Sequence, residues 1–130
     1  MPASETTPSV LIIDQSDDTR DVLRTILQRR GVSVLEAEAA SSGVELAQRH
    51  HPEVIVMDVE TVPAQDTASR SQLDTETETQ HSQLLVLGKV RRDSQTLRNG
   101  EFVSKPYHYG PLVRKIEQFI ESSTVARRAA

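Results

Sequence analysis

"VIVMDVE", Val54 to Glu60, sets four apolar residues in an unbroken row and then a single aspartate. A short run of Val, Ile and Met that follows Pro52 reads as a strand buried on both faces, since a half-exposed strand would alternate and a helix would need more length. The run stops on a carboxylate, and a buried run tolerates that only where its last side chain reaches water or ions. The lip of a helix-covered sheet is such a place. Four further runs have the same character: "VLIID" (Val10 to Asp14), "VSVLEA" (Val32 to Ala37), "QLLVLG" (Gln83 to Gly88) and "EFVSK" (Glu101 to Lys105).

Helical patterns separate these runs. After Asp14, Val22, Leu23, Ile26 and Leu27 recur at helical spacing, with Ser16 or Asp17 available as cap and Gly31 just past the end. A weaker pattern covers Ser42 to His50 through Val44 and Ala47, and Pro52 closes it. Near the C-terminus Leu112, Val113, Ile116, Phe119 and Ile120 form an apolar stripe, with Pro111 accommodated in the first turn. Buried strands alternating with helices predict a parallel sheet covered on both sides, a doubly wound α/β domain. Ligands of such sheets bind beyond the carboxyl ends of the strands, which draws attention to Asp14, Asp58, Gly88 and Lys105. Two carboxylates and an ammonium meeting there suit a divalent cation and an anion.

Composition narrows the function classes. The 130 residues fit one domain, expected over residues 9–122 with short tails at 1–8 and 123–130. Only 3% of residues are aromatic, so the core must be aliphatic. A net charge of −4 provides no basic field for nucleic acid. Without cysteine there is neither a disulfide nor a thiolate metal site. "MPASETTPS" lacks the features of a signal peptide, and no apolar stretch is long enough to span a bilayer, so a cytoplasmic protein is expected.

The stretches "VLIIDQSDDTRDVL", "VIVMDVETVPAQD" and "FVSKPY" resemble the first acidic cluster, the phosphoacceptor strand and the Lys-Pro strand of bacterial two-component response-regulator receiver domains. The three occur in the family's order, each at the end of a predicted strand, and the likeness runs from Ser9 to Ser122, as in an atypical single-domain member. It implies a flavodoxin-like five-stranded sheet of order 2-1-3-4-5. It also implies that Asp58 accepts a phosphoryl group from a partner histidine kinase or phosphotransfer protein. Asp14, Asp58 and the backbone carbonyl of Glu60 would hold Mg²⁺, with Gln15 as a weaker ligand through its amide oxygen. Lys105 would pair with the acyl phosphate, Phe102 matches the family's switch aromatic, and Lys105-Pro106 is where the family commonly has a cis peptide.

Departures from the family pattern are equally specific. Gln15 stands where a second acid is usual. Gly88 stands where the family has Thr or Ser, so the hydroxyl that bonds the phosphoryl group is missing, and Gly88→Thr is expected to restore it if the backbone suits a side chain. "VETVPAQDT" holds one residue more than usual between Asp58 and Pro63. "ASRSQLDTETETQHS" shows almost no apolar face, so the third helix is expected to be short, frayed or absent and residues 67–82 mobile. "KVRRDSQTLRNG" leaves room for only a turn or two between the fourth and fifth strands.

Plainer readings accompany these. A lone acid at a strand end also serves as a helix cap, Asp17 and Asp18 suit a helix first turn, and the basic cluster Lys89, Arg91, Arg92 and Arg98 suits a solvated face. No general base or second nucleophile is placed by the motifs, which speaks against an independent enzyme. A phospho-accepting receiver with an unknown downstream protein partner, monomeric or weakly dimeric, stands beside the alternative of a pseudo-receiver, an interaction module that keeps the fold without the phosphorylation switch.

Overall fold

In the computed structural model, residues 7–63, 65–89 and 100–129 are described. The elements are β1 (Ser9–Ile13), α1 (Asp17–Arg29), β2 (Ser33–Ala37), α2 (Ala40–His50), β3 (Val54–Asp58), α3 (Thr67–Thr79), β4 (Gln83–Gly88), β5 (Gly100–Ser104) and α4 (Tyr109–Ala129). All strand pairs are parallel and the sheet order is β2-β1-β3-β4-β5, as the resemblance implies. Strand order reverses between β1 and β3, the position at which an open sheet leaves a crevice at its carboxyl edge.

Period-two alternation divides the core into two aliphatic layers. Leu11, Ile13, Ile55, Met57, Leu84 and Val86 face α2 and α3 through Val44, Ala47 and Leu73. Val10, Ile12, Val54, Val56, Leu85 and Leu87 face α1 and α4 through Leu23, Leu27, Leu112, Val113 and Ile116. β3 is buried at all five positions, which explains its unbroken apolar run. α2 comes close to β1 at Gly43, where a Cβ would lie 2.6 Å from Ile13 Cδ1.

Helix ends follow their capping chemistry. Ser16 Oγ accepts from Thr19 N at 3.2 Å, and Gly31 takes φ +84° just beyond α1. α2 begins at Ala40, two residues before the expected start, and is closed after His50 by His51 in the left-handed region at φ 49°. α4 continues past Ser122 to Ala129, with Ser123 buried.

The expectation for the third helix is corrected. α3 is a regular helix of 13 residues, neither short nor absent. Asp66 caps it through Ser69 N at 3.2 Å, and Leu73 is fully buried. Arg70, Glu76 and Thr77 are also buried, Arg70 donating through Nε to Val62 O at 2.9 Å and Glu76 meeting His51 Nδ1 at 3.0 Å. The helix thus docks a face whose spacing is helical but whose chemistry is mostly polar, and hydrogen bonds replace the apolar stripe. The short crossover expected between β4 and β5 falls on residues 90–99, outside the described residues.

Candidate functional site

Asp14 and Asp58 leave neighbouring strands. Ile13 pairs with Met57 in the β1/β3 register, so the next residue on each strand carries its carboxylate over the crevice. Both are nearly inaccessible, Asp14 4% and Asp58 2% exposed, so neither is an ordinary surface acid. Asp14 Oδ1 accepts from Ser16 N at 2.8 Å, which also turns the chain into α1. Arg20 holds the same corner, donating through Nε to Asp14 O at 2.8 Å while its guanidinium meets Glu36.

Lys105 arrives from the far side of the sheet. Its N–H donates to Gly88 O at 2.8 Å, which fixes it at the end of β5, and its ammonium bonds Asp58 Oδ1. Lys105-Pro106 is cis, as the resemblance implies. The other carboxylate oxygen is held from below: Asp58 Oδ2 accepts from Thr61 N at 3.1 Å and from Thr61 Oγ1 at 3.2 Å. Thr61 Oγ1 in turn accepts from Gln15 N at 2.9 Å, which ties the β1–α1 loop to the loop after β3. Thr61 lies in the loop with the extra residue, and that insertion was the one signal in the sequence that this loop has its own geometry.

The charges respond to this crowding. Burial raises the Asp14 carboxyl above its ordinary 3.8, the Ser16 N–H pulls it back, and the negative charge of Asp58 pushes it up again. Burial works to lower Lys105, but the hydrogen bond and charge of Asp58, aided by Asp14 and Glu60, outweigh it and the ammonium is held above 10.5. Two buried carboxylates sharing one ammonium leave a negative charge unbalanced. Among the described residues no group of three His, Cys, Asp or Glu side chains gathers around one point. This donor set therefore suits a hard divalent cation that takes one or two carboxylates and keeps several waters. Gln15 and Glu60 are exposed at the rim of the same crevice.

Gly88, at the end of β4, is where a hydroxyl was expected to be restorable. The structure corrects that expectation. A Cβ at Gly88 would lie 2.6 Å from Val59 Cγ2 and 3.3 Å from Phe102 Cζ, so space and not backbone conformation forbids a side chain. Val59 and Phe102 fill the place from both sides, and Phe102 packs against the core.

A cleft of about 580 Å³ opens beside Lys105, lined by Thr19, Lys89, Pro106, Tyr107 and Tyr109 as well. The two tyrosine rings meet edge to face with centroids 5.6 Å apart. Burial, with the nearby Tyr109 and the charge of Asp14, pushes the Tyr107 phenol up to about 12 against a hydrogen bond with Thr19 that pulls it down.

A family model described as the response regulator receiver domain matches residues 10–66, the span that carries Asp14, Asp58 and Thr61. The chain is 30% identical over 116 residues to an uncharacterized 14.6 kDa protein in the sodA1 3' region of Leptolyngbya boryana, covering 85% of this chain and 88% of that one. It is 20% identical over 119 residues to the polar-differentiation response regulator DivK of Brucella ovis, covering 88% of this chain and 97% of DivK. The chain belongs to the response-regulator receiver-domain family. The receiver fold is shared with Vibrio cholerae chemotaxis protein CheY4 at a TM-score of 0.70 and 19% identity, over 88% of this chain and 99% of CheY4. Two-component signalling is thus the setting of this receiver domain.

Proposed function

We propose that Asp58 is the phosphoacceptor, taking a phosphoryl group from a phosphohistidine on a partner histidine kinase or phosphotransfer protein. The observation that carries this reading is the orientation of one buried carboxylate, Lys105 on Oδ1 and Thr61 on Oδ2, at the carboxyl edge of the sheet. In the transfer an Asp58 oxygen attacks phosphorus, the bond from phosphorus to the donor nitrogen breaks, and the imidazole departs with the electron pair. Negative charge moves from the carboxylate to the phosphoryl oxygens, and Lys105 stands where it can follow that charge. Asp14 and Asp58, with the Glu60 carbonyl and Gln15 at the rim, are the groups that would hold Mg²⁺, which when bound screens the approaching anion.

The test is intact mass after incubation with Mg²⁺ and acetyl phosphate. The expected result is one added phosphoryl group, absent from a folded Asp58→Asn variant. An unmodified mass at saturating donor and metal would sink the proposal. It would favour the second reading, a pseudo-receiver that binds partners without the switch, for which the occupied space at Gly88 speaks. On either reading the chain acts as a signalling module. Among the described residues no helix is long and apolar enough to cross a membrane.

A further inference from the structure

Thr61 places its hydroxyl 3.2 Å from Asp58 Oδ2, and its hydrogen bonds define its direction. A threonine hydroxyl has one proton and two lone pairs. Gln15 N–H occupies one lone pair at 2.9 Å, so the proton is directed to Asp58 Oδ2 at 3.2 Å. The Thr61 backbone N–H lands on the same oxygen at 3.1 Å. Two donors from one residue thereby hold one oxygen of Asp58 while Lys105 holds the other. On the β4 side Gly88 contributes no side chain, and Val59 and Phe102 leave no room for one.

We infer that Thr61 is the positioning residue of this site and reads the phosphoryl group through Gln15, from the β1–α1 side of the crevice rather than from the end of β4. The inference rests on Asp58 being the phosphoacceptor. When the carboxylate becomes an acyl phosphate, its charge passes to the phosphoryl oxygens. A hydrogen bond to a charged acceptor is roughly twice as strong as one to a neutral acceptor. The Thr61 hydroxyl therefore exchanges the acyl oxygen for a phosphoryl oxygen, and the Gln15 amide bonded to it must follow. Gln15 directly precedes the Ser16 cap of α1, so the displacement arrives at the start of a helix.

Three variants decide the matter: Thr61→Val, which keeps the branched shape and removes the hydroxyl, Thr61→Ser, which keeps it, and Thr61→Ala as a second hydroxyl-free form should the valine disturb folding. Each is treated with Mg²⁺ and acetyl phosphate, and the Gln15 amide resonance is followed with Mg²⁺ and beryllofluoride. Losing a hydrogen bond to a charged group is expected to slow phosphoryl uptake about tenfold in the hydroxyl-free variants. Their Gln15 amide is expected to stop responding to beryllofluoride, while Thr61→Ser stays within about twofold of wild type and keeps the response. Wild-type uptake together with a wild-type Gln15 response in Thr61→Val or Thr61→Ala overturns the inference and leaves Asp58 as acceptor. A wild-type protein that takes up no phosphoryl group ends the acceptor reading, and this inference with it.

Discussion

At the scale of single residues, Asp14 is ionised against its surroundings. Its carboxyl sits above 3.8 because burial and Asp58 disfavour the charge, so relative to the unfolded chain the fold prefers the protonated acid. That preference contributes stability in full below the unfolded value and loses it as pH rises through the raised folded value. Asp14→Asn keeps an oxygen for the Ser16 amide and removes the charge. In metal-free buffer it is expected to match wild type near about pH 3 and to gain about 1 kcal/mol at neutral pH, read from urea midpoints. A midpoint at neutral pH no higher than wild type would refute this account. Gly88→Thr is expected to lose about 1–3 kcal/mol by overpacking, and Val59→Ala in the same chain to return part of that loss, because the two residues claim one space. Melting temperatures of the single and double variants test this; a Gly88→Thr protein as stable as wild type would contradict it. Asp14, Asp58 and Lys105 were legible in the sequence because each closes a predicted strand and the three fall in the order of the family's motifs. Thr61 and Val59 were not, since their parts depend on how an inserted loop folds and on which side chain fills a gap between strands.

Among the elements, α3 departs most from its sequence signal. Hydrophobicity fails there because the helix buries Leu73 together with Arg70, Glu76 and Thr77, and no pattern of apolar residues announces a face built from polar stems. Helical spacing was present at 70, 73 and 77, but Leu73 is the one apolar residue of the three, and Arg70 and Thr77 are of types that are usually solvated. Leu73→Ala is expected to destabilise the domain by about 2–4 kcal/mol, and to accelerate amide exchange throughout α3 before the rest of the molecule opens. Uniform exchange across all elements in that variant would show that α3 is held by its polar contacts instead. α1 and the sheet strands were legible for the opposite reason: cap, apolar period and terminal glycine agree with one another, and β3 is buried on both faces.

For the whole molecule, the sheet keeps its chemistry and its bulk apart. The two aliphatic layers lie on the faces of the sheet, and Asp14, Asp58, Thr61 and Lys105 meet beyond its carboxyl edge, so substitutions of these four act on the polar site and substitutions in the layers act on packing. The doubly wound parallel sheet and this division followed from the alternation of buried strands and helices, and the strand order from the resemblance to the receiver family. The filled space at Gly88 did not, because it belongs to the contact of two side chains, Val59 and Phe102, from different segments of the chain. The distribution of rings has an optical consequence. The chain contains no tryptophan and two tyrosines, and both tyrosines line the cleft beside Lys105. Apart from the weak contribution of its two phenylalanines, the intrinsic ultraviolet emission of this protein, and most of its near-ultraviolet dichroism, therefore originates within one cleft, so an unlabelled sample reports on its own site.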